Sequence, residues 1–508
     1  MRLTQLLVEL PAAELRGPDV DVSAICYDSR RAGPGALFVA VPGFRADGHD
    51  HIAEAVACGA VAVAVQADRP EKWRAIVEER GLAAVVVADA REALAGLAAA
   101  FHGHPGRRLR VVGVTGTDGK TTVVHLVSHL LEAAGHRCGL LSTVYCKVGE
   151  RIWANESRFT TPEAPDVQAL LAEMVAAGCD YAVLESSSHG LALHRLDGCE
   201  YDVAVMTNVT ADHLDFHHSR EEYRAAKGLL FAMLDESAEK AGVEKVAVLN
   251  ADDPASGYFG GLTRARAVTY GVAKPAEVRA IDIRASDWGS RFRLVTPAGE
   301  EDVTIGLPGD FNVYNALTAA GAALSQGVTP ADVARGIASF PGVPGRLERL
   351  DEGQPFTVVV DFAHAPEALR QVLTFLRARC RGRLIAVFGC IGERERPRRA
   401  GMGKVAGLLA DFSILTNDNP FGEDPEAIIT EIAQGLRETG RHEGHHFVVI
   451  PDRREAIAHA FAMAVEGDIV LLAGKGHEQS ITIAETVIPW DDRRVARELL
   501  REMISRSP

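Results

Sequence analysis

Residues 111–122, VVGVTGTDGKTT, decide the fold. The apolar, β-branched run 111–115 has the composition of a strand buried on both faces of a parallel sheet. Gly116, Thr117, Asp118, Gly119, Lys120, Thr121 and Thr122 interrupt it, and Val123, Val124, Leu126, Val127, Leu130 and Leu131 then recur at helical spacing. A strand, a glycine loop and a helix N-terminus in this order bind phosphate for a physical reason. Glycines let backbone N–H groups close on the oxygens, the helix end adds positive potential, a lysine reaches the terminal phosphates and a hydroxyl can coordinate Mg²⁺. Lys120 and Thr121 supply the last two groups. The spacing is shorter than the full Walker pattern, and glycines at 113, 116 and 119 do not match the dinucleotide fingerprint.

The chain has 508 residues, a length that predicts about three domains. It carries 54 Lys and Arg against 69 Asp and Glu, a net charge of −15, which argues against general nucleic-acid binding. No apolar run approaches a membrane span, and residues 1–14 lack a basic segment followed by an apolar signal core, so a cytoplasmic protein is expected. Eight scattered cysteines without a C-x-x-C pair read as reduced thiols. His442, His445 and His446 read as a solvated loop and no zinc site is expected.

Residues 1–107 read as a small α/β domain with strands at 36–41, 60–65 and 83–87 and polar turns at 28–31 and 43–48. The basic, glycine- and proline-containing stretch 102–110 marks the first boundary. The central domain, 108–345, alternates strands at 111–114, 140–143, 181–184, 203–206, 246–249 and 267–270 with helices, the pattern of a doubly wound, mostly parallel sheet. Ligands of such sheets gather at the carboxyl ends of the strands. There Glu185 ends one strand and is the natural Mg²⁺ partner of Thr121. His213 is an unusual Mg²⁺ ligand by chemistry and reads as structural, while periodicity makes Lys227 a surface lysine. The last domain, 346–508, repeats the alternation with strands at 356–360, 384–388, 412–415, 447–450 and 469–472, each ending in polar residues. Two such domains beside an ATP loop point to a condensing enzyme that closes around several substrates.

The segments TGTDGKTT, Thr160-Thr161-Pro162, ESSSHGLALHRLDG (185–198), TNVTADHLDFH (207–217), YRAAKGLLF (223–231), PGDFNVYNA (308–316), PGR (344–346), DFAHAPEAL (361–369), DNP (418–420) and GKGHE (474–478) follow one another in a familiar order. The chain resembles the Mur ligases from end to end, and within them the branch that joins a third residue to UDP-N-acetylmuramoyl-L-alanyl-D-glutamate. The resemblance implies three domains: an N-terminal UDP-binding domain, a central doubly wound, P-loop ATPase domain and a C-terminal Rossmann-like α/β domain that takes the amino acid. It implies ATP-dependent amide formation through an acyl phosphate in peptidoglycan precursor synthesis, by a monomer with no membrane span and no nucleic-acid partner.

By motif, the resemblance implies that residues Gly116, Thr117, Asp118, Gly119, Lys120, Thr121 and Thr122 hold the phosphates, with Asn312, Asn315, Arg346, Asp361 and His364 completing the nucleotide site. Thr121, Glu185, His213 and a carbamylated Lys227 would serve Mg²⁺, and Lys120, Lys227 and His213 would carry catalysis. The implied contacts to the UDP-muramoyl dipeptide are Ser29, Phe44, Arg45, Ala46, Thr160, Thr161, Ser188 and Arg195. Arg394, Asp418, Asn419, Phe421, Gly474 and Glu478 match the amino-acid pocket. Diaminopimelate-using members have Asp-Asn-Pro-Arg, whose arginine pairs with the distal carboxylate; here Phe421 stands in that place, which favours lysine or ornithine. Arg396 and Arg398 are the arginines that could substitute, and Glu393 and Glu395 replace the usual aspartates. The readings weighed against this one are a folylpolyglutamate synthase-like ligase, a switch or motor ATPase, and a non-catalytic nucleotide-binding paralogue.

Overall fold

The computed structural model describes residues 1–508 apart from 11, 44, 45, 156–158, 211–213, 394, 507 and 508. Contacts gather the chain into two units, one of residues 1–284, 290–305 and 310–340, the other of 285–289, 306–309 and 341–508.

The first unit holds two sheets. Across the smaller run Glu14–Arg16, Ala83–Val87, Ala60–Gln66, Ala36–Val39 and Ala24–Cys26, parallel except for the first pair. The larger has eleven strands with Arg110–Thr115 at its middle, flanked by Val203–Met206 and Tyr181–Glu185. Val112 stands opposite both Val203 and Val183, so the phosphate-loop strand lies in the driest part of the sheet. Its residues from Val111 on are buried on both faces because helices cover each side, which is why the strand reads as an unbroken apolar run. Lys120–Ala133 packs beside the alanine-rich helix Phe311–Ser325, whose small side chains let the two approach. Ala90–Phe101, capped by the Asp89 carboxylate accepting from Arg91 N at 2.7 Å, closes the smaller sheet.

The second unit is built on six strands in the order Glu348–Leu350, Thr357–Asp361, Ile469–Ala473, Leu384–Phe388, Phe412–Leu415 and Phe447–Val449, again parallel except for the first pair. Helices Pro397–Leu409 and Pro425–Arg437 meet behind it at glycines: a Cβ at Gly403 would lie 2.0 Å from Ile432 O, and one at Gly435 2.0 Å from Ala400 O.

The expected mixed α/β fold with a large, parallel-rich central sheet is what the chain forms. Beyond the expected strands the chain forms Val278–Ser286, which starts parallel to Arg266–Gly271, and antiparallel edge strands: Gly289–Thr296 and Gly299–Ile305 on one side of the large sheet, Tyr145–Val148 and Arg151–Ala154 on the other, and the hairpin Ser480–Ile483 with Thr486–Pro489. Gly289–Thr296 and Gly299–Ile305 each have one wet face, so their apolar residues alternate with charged ones and no continuous apolar run marks them.

Candidate active site

In the first unit the site begins where Arg110–Thr115 ends. Gly116 and Gly119 have φ of 147° and 82°, and a Cβ would lie 1.8 Å from Thr207 Oγ1 at the first and 2.3 Å from Asn315 Oδ1 at the second. Only glycine fits a loop braced this closely. The brace is the end of the adjacent strand: Thr117 N donates to Asn208 O (2.8 Å), Asp118 N to Asn208 Oδ1 (3.0 Å) and Thr207 Oγ1 to Asp118 O (2.6 Å). Lys120 opens the helix and donates to Thr117 O (2.8 Å) and Gly116 O (3.0 Å), with Thr121 and Thr122 in the same first turn. Asn315 donates to Asn312 Oδ1 (2.9 Å), which fixes both asparagines against the loop.

Glu185 ends the neighbouring strand, only 2% exposed. One carboxylate oxygen accepts from Thr121 Oγ1 (2.9 Å) and the other from Thr143 N (2.8 Å) and Thr143 Oγ1 (3.0 Å). The Thr143 hydroxyl, its one proton on Glu185, stands 3.2 Å from Thr160 Oγ1, from which it can accept, and Thr161 Oγ1 donates to Glu185 O (3.1 Å). Arg195 is buried, donates to Thr161 O (3.0 Å) and pairs with Glu163 (2.7 Å). Ser188 Oγ lies 3.0 Å from His217 Nε2. Thr160, Thr161 and Arg195 therefore gather around the carboxylate beside the phosphate loop. Ser29 is held elsewhere, donating to Glu54 at 2.7 Å, and Ala46 is exposed, its carbonyl accepting from Gly43 N at 2.8 Å. Phe44, Arg45, His213 and Arg394 lie outside the described residues.

Lys227 corrects the periodicity reading. It is 1% exposed, donates to Gly116 O at 2.6 Å, and its ammonium sits 4.2 Å from the centre of the Tyr223 ring. The physical reason is its place on the helix Arg220–Glu236: Tyr223, Lys227, Leu230, Phe231 and Leu234 form one buried stripe, and Lys227 stands in its middle. That position was readable in the sequence.

In the second unit, Asp361 ends its strand and accepts from Leu347 N (2.7 Å) and Ala363 N (2.8 Å). Burial pushes its carboxyl up, against the pull of the Arg346 guanidinium. Arg346 stacks 5.0 Å from the Phe362 ring, and the rings of His364 and His477 lie 4.4 and 4.7 Å from it. Burial lowers the imidazole of His364 and takes that of His477 down to about 3.

A second cluster surrounds Lys475, which is fully buried. Its ammonium donates to Glu478 Oε2 (2.6 Å), Ser480 O (2.6 Å) and Asn419 Oδ1 (3.1 Å), and stands 3.5 Å from Asp418 Oδ1. Asn419 also donates to Glu478 (2.9 Å), and burial raises the Glu478 carboxyl. Gly474 N donates to Asp361 O (3.2 Å), joining the two clusters. Both oxygens of Asp418 are buried and accept no hydrogen bond from the described residues. Phe421, at φ 51°, is tied through its backbone to the hairpin: its N–H donates to Thr482 O (3.2 Å) and its carbonyl accepts from Ala484 N (2.6 Å).

Three family descriptions match the chain in order: "Mur ligase family, catalytic domain" over residues 21–102, "Mur ligase middle domain" over 114–323 and "Mur ligase, glutamate ligase domain" over 345–476. The UDP-N-acetylmuramyl-tripeptide synthetase of Roseiflexus sp. (strain RS-1) is 48% identical over 99% of both chains. The chain belongs to the Mur ligase family. It is accordingly an ATP-dependent ligase. The UDP-N-acetylmuramoyl-L-alanyl-D-glutamate--2,6-diaminopimelate ligase of Geobacillus kaustophilus (strain HTA426) is 44% identical over 99% of this chain and all of its own. Among solved structures, a UDP-N-acetylmuramoyl-L-alanyl-D-glutamate--2,6-diaminopimelate ligase is 32% identical, with 95% of both chains covered and a TM-score of 0.63. The MurF ligase of Thermotoga maritima, solved with ADP, shares the fold at 23% identity and a TM-score of 0.57, over 95% of this chain and 97% of its own.

The residues present fit the Mur ligase cofactors on geometry. The glycine loop runs straight into the N-terminus of Lys120–Ala133, and Thr121 and Glu185 bring a hydroxyl and a carboxylate together beside it. Among the described residues no three His, Cys, Asp or Glu side chains form a metal cluster. A hard cation held by one carboxylate, one hydroxyl, phosphate and water needs none. Sequence reasoning assigned no role to Asn208, Thr143 or Lys475. The first two follow strand ends and Lys475 lies within GKGHE, signals that were visible, but their importance rests on what they touch.

Proposed function

We propose that the protein adds the third residue, a diamino acid, to UDP-N-acetylmuramoyl-L-alanyl-D-glutamate, with lysine or ornithine preferred over meso-diaminopimelate. The names of the relatives support the acceptor, and the division of labour follows the three segments 1–107, 108–345 and 346–508. The observation that carries the choice of a terminal amine is Asp418, a buried carboxylate whose two oxygens accept no hydrogen bond from the described residues although the Lys475 ammonium stands 3.5 Å from one of them. An added ammonium would be satisfied there. Phe421 supports the absence of a second carboxylate, since an aromatic ring offers it no partner.

In the reaction, a side-chain carboxylate oxygen of the D-glutamate attacks the γ-phosphorus of ATP and ADP leaves. The amino acid's α-amine then attacks the acyl carbon, loses a proton, and the C–O bond to phosphate breaks. Gly116, Gly119 and Lys120 position and neutralise the phosphates, and Thr121 and Glu185 hold Mg²⁺, which when bound neutralises phosphate charge. Thr160, Thr161, Ser188 and Arg195 orient the acceptor; in the first unit Asn312 and Asn315, and in the second Arg346, Asp361 and His364, are each assigned to nucleotide contact. Lys227, once carbamylated, becomes an oxygen donor beside the loop; a carbamate ¹³C signal from labelled bicarbonate, lost in Lys227→Arg, checks this.

The test is phosphate release with Mg-ATP and the UDP-muramoyl dipeptide, supplied in turn with lysine, ornithine and meso-diaminopimelate, with product mass confirming the bond. Lysine- or ornithine-dependent release is expected, and Phe421→Arg should move the preference toward diaminopimelate by about tenfold. A parent that uses diaminopimelate best, with a ratio indifferent to residue 421, would remove the argument from Phe421.

A further inference from the structure

Two segments leave adjacent parallel strands at the amino-acid cluster, residues 389–393 after Leu384–Phe388 and residues 416–424 after Phe412–Leu415. Each contains a non-glycine residue in the left-handed region, Glu393 at φ 55° and Phe421 at φ 51°. Such a conformation persists for a bulky residue only where its surroundings over-determine it. Here the surroundings are identifiable. Gly392 N donates to Asn419 O (2.8 Å), Gly422 N to Glu393 Oε1 (3.3 Å), and Glu393 N to the carboxylate of Glu423. The same Glu423 oxygen accepts from Arg399 Nη2 at 2.8 Å. Arg399 is itself 1% exposed on the helix Pro397–Leu409 and is pinned from the other side by Glu431 at 3.2 Å. Its guanidinium holds Glu423 below the usual carboxylate range.

We propose that Glu423, anchored by Arg399, is a positioning residue for amino-acid selection: it laces the two loops together and so sets where Phe421 stands beside Asp418 and Asn419. This rests on the reading of that cluster as the amino-acid site. Arg399 is buried in the helix layer, so removing it would leave a hole there and take away the nearer of the two arginines that pair with Glu431. Glu423 is 27% exposed, so truncating it leaves no buried hole.

The experiment compares the parent with Glu423→Ala and Glu423→Gln. Glu423→Ala loses the acceptor for both Glu393 N and Arg399. It should raise KM for the amino acid about tenfold and narrow the ratio of lysine to diaminopimelate use, with KM for ATP unchanged. It should also speed backbone hydrogen exchange at residues 391–393 and 420–423. Glu423→Gln keeps an acceptor oxygen and should stay within about threefold of the parent. An active parent whose Glu423→Ala variant keeps its amino-acid KM, its ratio and its exchange rates overturns the proposal. Equal losses toward ATP and amino acid do the same, since they report general destabilisation. A parent that ligates none of the amino acids instead overturns the functional reading beneath it.

Discussion

At the scale of single residues, function follows from what burial does to ionisable groups. His477 is the clearest case, because its imidazole is packed against Phe362 and held neutral, with its pKa pushed down to about 3. A free histidine titrates near 6.5. Between these values the unfolded chain binds a proton that the folded chain does not, so stability falls as pH is lowered through this window, by up to about 1.4 kcal/mol per pH unit. His477→Gln removes that contribution. The thermal midpoint of the parent should therefore drop more steeply than that of the variant between about pH 6.5 and 4; parallel slopes would mean that the imidazole is protonated in the fold.

At the scale of elements, the second unit depends on two helices approaching at backbone distance. A methyl group at Gly403 would meet the Ile432 carbonyl at 2.0 Å, and a carbonyl within a helix cannot step aside as a flexible side chain can. Gly403→Ala should cost about 1–3 kcal/mol, seen as a lower denaturation midpoint. Loss of less than a few tenths would show that Pro397–Leu409 slides freely on its neighbour. The same scale explains why helix Arg220–Glu236 turns a lysine inward: the stripe that faces the core includes position 227, and the Gly116 carbonyl is the acceptor waiting there.

At the scale of the whole molecule, two units with separate cores predict unfolding that is not two-state. Calorimetry should give an unfolding enthalpy above the van't Hoff value, and His477→Gln and Gly403→Ala should both move one component while leaving the other in place. A single transition shifted as a whole by both changes would show one cooperative block.

What could be read in the chain itself was whatever depends on local pattern. The phosphate loop is legible because strand, glycines, lysine and hydroxyl are consecutive, and the parallel strands are legible because burial on both faces leaves an unbroken apolar run. The antiparallel edges were not, since a half-wet strand is diluted with charge. Glu185 could be paired with Thr121 from the two strand ends, but Thr143 as its second partner, and the partners of Lys227 and Asn419, could not. Thr143 and Glu185 are 42 positions apart, Lys227 and Gly116 111, and Asn419 and Glu478 59, so no window of sequence contains both members. Residue identity determined which groups could do chemistry; tertiary structure decided which of them meet, because side-chain contacts at such separations exist only after the sheets and helices have packed.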